Sequence, residues 1–127
     1  MNYELLLIGG LWAHWCGDFI LQTHHQATTK SRNIISLLTH CATYSAVMCV
    51  WFVIFAKVPD PVIHTWNTMF FTLTTFLTHF ITDFFTSKHN SRLWNKQSWH
   101  NFFASVGLDQ VIHYITLFYT LKLMGLL

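Results

Sequence analysis

The sequence predicts an all-α fold, a four-transmembrane-helix up-down bundle with a polar His/Asp interior. Three observations predict it. Only 9% of the 127 residues are charged, while 53% are apolar and 17% aromatic; a soluble domain carries about a quarter charged residues. Four apolar stretches, near Glu4–Gln22, Ile34–Ala56, Trp66–Thr86 and Phe102–Leu126, each reach the ~20 residues a helix needs to cross about 30 Å of hydrocarbon. Polar connectors separate them: Thr23–Asn33, Lys57–Thr65 with Pro59 and Pro61, and Ser87–Asn101. Alternating helical hairpins are the economical way to join such spans. The length suits one domain, 1–127, without internal repeats.

The first span starts with Glu4 as its only early charge and lacks both a basic leader and a small-residue cleavage site, so it is expected to persist rather than be cleaved. The connectors around it set the orientation. Lys30, Arg32, Lys88, Arg92 and Lys96 fall on one side, and only Lys57 and Lys122 on the other. Excess Lys/Arg marks the cytoplasmic side, which puts both termini outside. Trp66, Trp94 and Trp99 lie near the span boundaries, where aromatic anchors gather. Lys30, Arg32, Lys88 and Arg92 are expected to orient the chain and contact anionic headgroups. A net charge of +2 is too weak to imply nucleic-acid binding. Cys16, Cys41 and Cys49 are odd in number and sit in apolar stretches, so no disulfide framework follows.

Polar residues interrupt the spans at helical spacing. The first reads Gly10, His14, Asp18, Gln22, with Gly17 alongside; the second reads Ser36, His40, Thr43. The third reads Thr72, Thr75, His79, Asp83, Thr86, and the fourth Ser105, Asp109, His113, Thr116, Thr120. Steps of three and four place each set on one side of its helix. His14–Asp18, His79–Asp83 and Asp109–His113 are each four residues apart and share a face. At 1.5 Å per residue the acids lie ~5–10 Å from the cytoplasmic end of their spans and the four histidines about 9–17 Å, so the spans place these groups in one layer.

An ionised carboxylate in hydrocarbon costs at least ~2.5–3.5 kcal/mol, and three of them also repel. Imidazole nitrogen and carboxylate oxygen are ligands of Zn, Fe or Mn. The expected metal ligands are His14, Asp18, His40, His79, Asp83, Asp109 and His113, holding one or two divalent ions, with zinc favoured. Two dications with one hydroxide would neutralise the three acids; one ion with the remaining pairs in support would also serve. Three Asp–imidazolium pairs are the metal-free alternative. Asp18, Asp83 and Asp109 are the catalytic candidates, and Gln22 and Gln110 are placed to orient a water. Cys16 and Cys41 point about 200° and 100° away from their neighbouring histidines and should pack against other helices. His24, His25, His89 and His100 are expected to be solvated, and His64 to lie on the opposite side.

The chain resembles the small bacterial and phage membrane proteins grouped as DUF3307. The matching stretches are His14-Trp-Cys-Gly-Asp18-Phe-Ile-Leu-Gln22, Lys30, Leu38-Thr-His40, His79-Phe-Ile-Thr-Asp83-Phe and Leu108-Asp109-Gln110-Val-Ile-His113. The usual "DFLLQ" stands here as Asp18-Phe-Ile-Leu-Gln22. The resemblance implies a four-helix architecture in a bacterial inner membrane and no particular activity. A looser similarity of site type links the His/Asp helices to membrane-bound metal-dependent hydrolases.

Three functions follow as expectations. The first is a metal-dependent hydrolase acting near the cytoplasmic face on a membrane-embedded, lipid-like substrate. The second is a proton or divalent-cation transporter or channel. Against it, Val47–Phe55 and Tyr3–Leu11 offer almost no polar side chain for an outward path. The third is a phage-encoded membrane interaction protein with a structural polar core. A bundle this small suits a homo-oligomer or a larger membrane partner.

Overall fold

The computed structural model describes residues 3–127, and every regular element among them is helical. Helix α1 (Tyr3–Trp15) runs into a single π-helical turn, Cys16–Ile20, closed by Leu21 N–H donating to the Cys16 carbonyl at 2.9 Å. The chain then forms a short helix α2 (His24–Thr29), α3 (Ile34–Phe55), α4 (Pro61–Asn95) and α5 (Trp99–Leu123). Helix α4 packs between α3 and α5, while α1 lies mainly on α3 and touches α5.

Local chemistry sets the helix starts. Thr23 and Gln26 form a reciprocal capping box at α2. Asn33 and Asp60 cap α3 and α4 by accepting backbone N–H groups at their second and third residues. Pro61 occupies the first turn of α4, where its missing N–H is no loss. No glycine or proline interrupts α4 before Gln97, whose φ of 54° turns the chain toward α5. Helix α4 is therefore longer at both ends than the expected span Trp66–Thr86, about 52 Å at 1.5 Å per residue. Most of the stretch expected as connector, Ser87–Asn101, is helical, since α4 runs on to Asn95 and α5 begins at Trp99.

The four-span expectation narrows on one count. Among the described residues, α3 alone is long and apolar enough to cross a membrane by length and composition. The regular part of α1 stops after 13 residues at the π turn, and the polar stripes dilute α4 and α5.

Those stripes point inward. Phe71, Thr75, His79, Asp83 and Ser87, at strict four-residue steps, are the buried residues of α4. Large apolar side chains such as Ile8, Trp12, Val53, Leu73, Ile81, Leu108 and Ile115 are exposed. The interior has two storeys. One is apolar, with Leu6, Met48, Trp51, Phe52, Phe71, Leu117 and Leu121, and its Phe52 and Phe71 rings stack at 4.5 Å. The other holds His14, Asp18, His40, His79, Asp83, Asp109 and His113, all buried. On α3 the buried face runs from His40 and Cys41 to Tyr44 rather than to Thr43, whose hydroxyl donates to the Thr39 carbonyl.

Gly17 permits the closest approach in the polar storey. A Cβ there would stand 3.1 Å from Tyr44 Cδ2 and 3.3 Å from its Cα, and the latter is backbone that cannot rotate away. Gly17→Ala is expected to destabilise the fold by about 1–3 kcal/mol, the usual range for overpacking. It should lower the thermal midpoint in detergent, and an unchanged midpoint would show the contact to be slack.

Candidate metal centre

Four donor atoms from three segments converge in the polar storey. The π turn presents Asp18, α3 presents His40, and α4 presents His79 and Asp83 one above the other. His40 Nε2 lies 3.1 Å from Asp18 Oδ1 and 3.3 Å from Asp83 Oδ2; His79 Nε2 lies 3.6 Å from each of those oxygens. The two Nε2 atoms are 3.1 Å apart. Ligands 2.0–2.2 Å from a common tetrahedral ion stand about 3.3–3.6 Å from one another. The spacing therefore fits a small divalent cation. Two imidazole nitrogens facing each other beside two carboxylates is also an arrangement that asks for a cation or protons between them.

A second group, Asp18, Asp109 and His113, could also hold an ion, with one donor atom from each within 4.8 Å of the others. Asp83 reaches toward it, since its Oδ1 lies 3.3 Å from His113 Nε2. Asp109 Oδ1 is 3.6 Å from the same nitrogen and has no hydrogen-bond donor. The His113 ring stacks on His79 at 4.3 Å.

His14 stands apart from both donor groups. Its Nδ1 is 2.7 Å from the Tyr44 hydroxyl and its Nε2 is 2.7 Å from Gln110 Oε1, with Asp18 Oδ2 farther, at 3.9 Å. Gln110 then donates from its amide to Asp18 Oδ2 at 2.9 Å and Asp109 Oδ2 at 3.2 Å. Tyr44, His14 and Gln110 thus form a chain that fixes two of the carboxylates, as supporting hydrogen bonds do around metal ligands. The Tyr44 ring also lies flat on His79 at 3.8 Å. Tyr44 escaped sequence reasoning, which followed Thr43 on this helix instead. Gln22 hydrogen-bonds the Asp18 carbonyl at 3.0 Å.

The basic residues divide. Lys30, expected at a headgroup, reaches inward, and its Nζ lies 2.7 Å from Asp83 Oδ2. Burial alone would lower its pKa, but the Asp83 and Asp18 carboxylates outweigh that and hold the ammonium above the ordinary lysine value. The short helix α2 makes this possible by returning the first connector over the site. Lys30 and Arg32 line a cleft of about 470 Å³ whose walls also carry Asn90 and Ser91 and whose depths reach Asp18, Asp109 and Gln110. Lys88 instead lies over the Phe84 ring, 3.3 Å from its centre, and Arg92 is exposed outside the cleft lining.

On the other side of the donors is a space of only about 10 Å³ between Tyr44, Thr75, His79, His113 and Thr116, close to the minimum of ~10–15 Å³ for a single water. Beyond it the apolar storey is filled. Cys41 is buried, Cys16 and Cys49 are half-buried, and all three are free thiols. His64 stacks on Phe52 at the far end of the bundle.

No curated protein and no solved structure matches this chain. The family model described as protein of unknown function, DUF3307, matches residues 6–126, and the chain belongs to that family.

Proposed function

We propose that the protein is a multi-pass membrane protein of the bacterial inner membrane. In this reading it holds one divalent ion, zinc, between Asp18, His40, His79 and Asp83, and hydrolyses a membrane lipid from the cytoplasmic side. The convergence of those four donors beneath a polar cleft carries the reading. The distribution of side chains along the helices supports the membrane setting, since many large apolar side chains are exposed while Asp18, Asp83 and Asp109 are buried. The basic side chains near the cleft support the orientation.

Charge supports one resident ion. Three carboxylates and the Lys30 ammonium leave two negative charges with neutral imidazoles, and one dication cancels them. When bound, a zinc ion supplies Lewis acidity and lowers the pKa of a water toward ~7. Asp109, at the cleft with one oxygen free of donors, is the group to take a proton from the attacking water. His113, whose Nε2 lies 3.6 Å from Asp109 Oδ1, is the neighbouring group that can take the proton on. Gln110 keeps the Asp18 and Asp109 carboxylates aimed at the centre. The filled apolar storey favours a pocket over a conduit through the bundle.

Detergent-purified protein is expected to contain one zinc per chain by elemental analysis, and His79→Ala to lose it. Zinc-loaded protein in vesicles of phosphatidylglycerol and phosphatidylethanolamine should release a water-soluble product, measured by mass spectrometry. Metal-free protein that is folded and keeps its melting temperature in a chelator would overturn the metal reading and favour a structural polar core. Metal without product, but with proton or cation flux in proteoliposomes, would favour the transporter.

A further inference from the structure

Asp109 lines two separate hollows. One is the polar cleft bearing Lys30 and Arg32. The other, about 570 Å³, is a groove between α4 and α5 walled by Phe85, Leu93, Ala104 and Leu108, with Thr86, His89 and Ser105 among them. Among the described residues, no other belongs to both linings. Both volumes fall in the ~300–1,000 Å³ range of small-molecule sites.

The cleft is the more polar of the two, although Phe19, Trp94, Phe102 and Val106 also line it. The cleft offers an exposed guanidinium, Arg32, and the neutral hydrogen-bonding groups of Ser31, Asn90 and Ser91. The groove is mostly apolar and opens on a face where Phe85, Leu108 and Phe103 are exposed. Trp94 packs edge-on to Trp99 and Phe102 at the turn between α4 and α5, as rings at a membrane boundary do.

We propose that one anionic phospholipid straddles the two hollows, its phosphate toward Arg32 and an acyl chain in the α4–α5 groove. The bond joining head to chain then passes Asp109. This rests on the membrane-lipid reading above and specifies the substrate as anionic, held by one chain, and entering sideways from the bilayer. The meeting of the groove and the cleft at Asp109 selects a lipid over a soluble phosphoester, which would need the cleft alone. A helix of another protein would lie along the groove without reaching Asp109.

The test uses full-length, zinc-loaded protein in phosphatidylcholine vesicles doped with phosphatidylglycerol carrying a diazirine on one acyl chain. Photolabel is expected on residues 85–93 and 101–108. Ala104→Trp and Leu93→Trp, each adding bulk to the groove, should lower that labelling about tenfold with zinc content unchanged. Arg32→Ala should reduce the preference for the phosphatidylglycerol probe over a phosphatidylcholine probe. Label spread evenly over the lipid-facing sides, or insensitive to both tryptophan variants, would overturn the proposal. So would equal turnover of phosphatidylglycerol by both tryptophan variants and the unmodified protein. Groove labelling without product would overturn hydrolysis while sustaining the lipid site; product with an unlabelled groove would do the reverse.

Discussion

Asp83→Asn is expected to abolish stoichiometric metal binding and also to destabilise the fold. Asp83 is 1% exposed, and both its oxygens are engaged. Oδ2 faces Lys30 at 2.7 Å, His40 at 3.3 Å and His79 at 3.6 Å, while Oδ1 faces His113 at 3.3 Å. An amide keeps the shape but loses the charge, and its NH2 would point a donor at groups that need an acceptor. Lys30 would be left as a buried cation beside a neutral side chain. Breaking a buried ion pair from one side destabilises by about 3–5 kcal/mol. Loss of a ligating carboxylate should weaken metal binding by more than the ~10–100-fold typical of supporting hydrogen bonds. Thermal unfolding in detergent and elemental analysis read the two effects separately. The double variant Lys30→Met, Asp83→Asn removes the stranded ammonium, so it should regain much of the stability and none of the metal. If Asp83→Asn keeps a full complement of zinc, Asp83 is no ligand and the four-donor centre is wrong.

Asp83 was legible before any coordinates because its whole neighbourhood on α4 repeats every four residues. The inward faces of α4 and α5 follow from the same periodicity, as does the meeting of α1, α3, α4 and α5 at one level. A carboxylate and an imidazole one turn apart must share a face, and four alternating helices bring such faces together. Three features were not readable that way, each for a physical reason. The π turn at Cys16–Ile20 changes which way Asp18 points relative to His14. His14 therefore addresses Tyr44 and Gln110 rather than joining the donors. A five-residue hydrogen-bond step leaves no periodic trace in so short a segment. Lys30 belongs to a connector, and its burial depends on the return of α2 over the bundle. The Thr23–Gln26 capping box was the available sign that this connector is folded. Tyr44 is amphipathic and reads as core or as interface; only the two histidines on either side of it give it a role. The apolar share of each helix was harder to judge, because residues that make the site are the ones that lower the hydropathy of α4 and α5.

Asp109→Asn should separate chemistry from metal retention. Of the three acids, Asp109 alone has an oxygen without a hydrogen-bond donor, and it is 8% exposed where Asp83 is 1%. It also lines the cleft from which substrate and water would approach. Asp18 and Asp83 are committed to the four-donor set, so the free acid is the one suited to proton transfer. A positioned general base contributes about 10²–10⁴ in rate. Asp109→Asn should lower kcat by that factor, leave KM nearly unchanged and keep one zinc per chain. Asparagine preserves the hydrogen-bonding shape toward Gln110, so the fold should melt within a few degrees of the unmodified protein. Two results would refute the assignment. Unaltered turnover would mean that the proton goes elsewhere, with His113 the next group in line. A drop from two ions to one would make Asp109 a ligand beside Asp18 and His113, and the reaction would then belong to a two-ion centre.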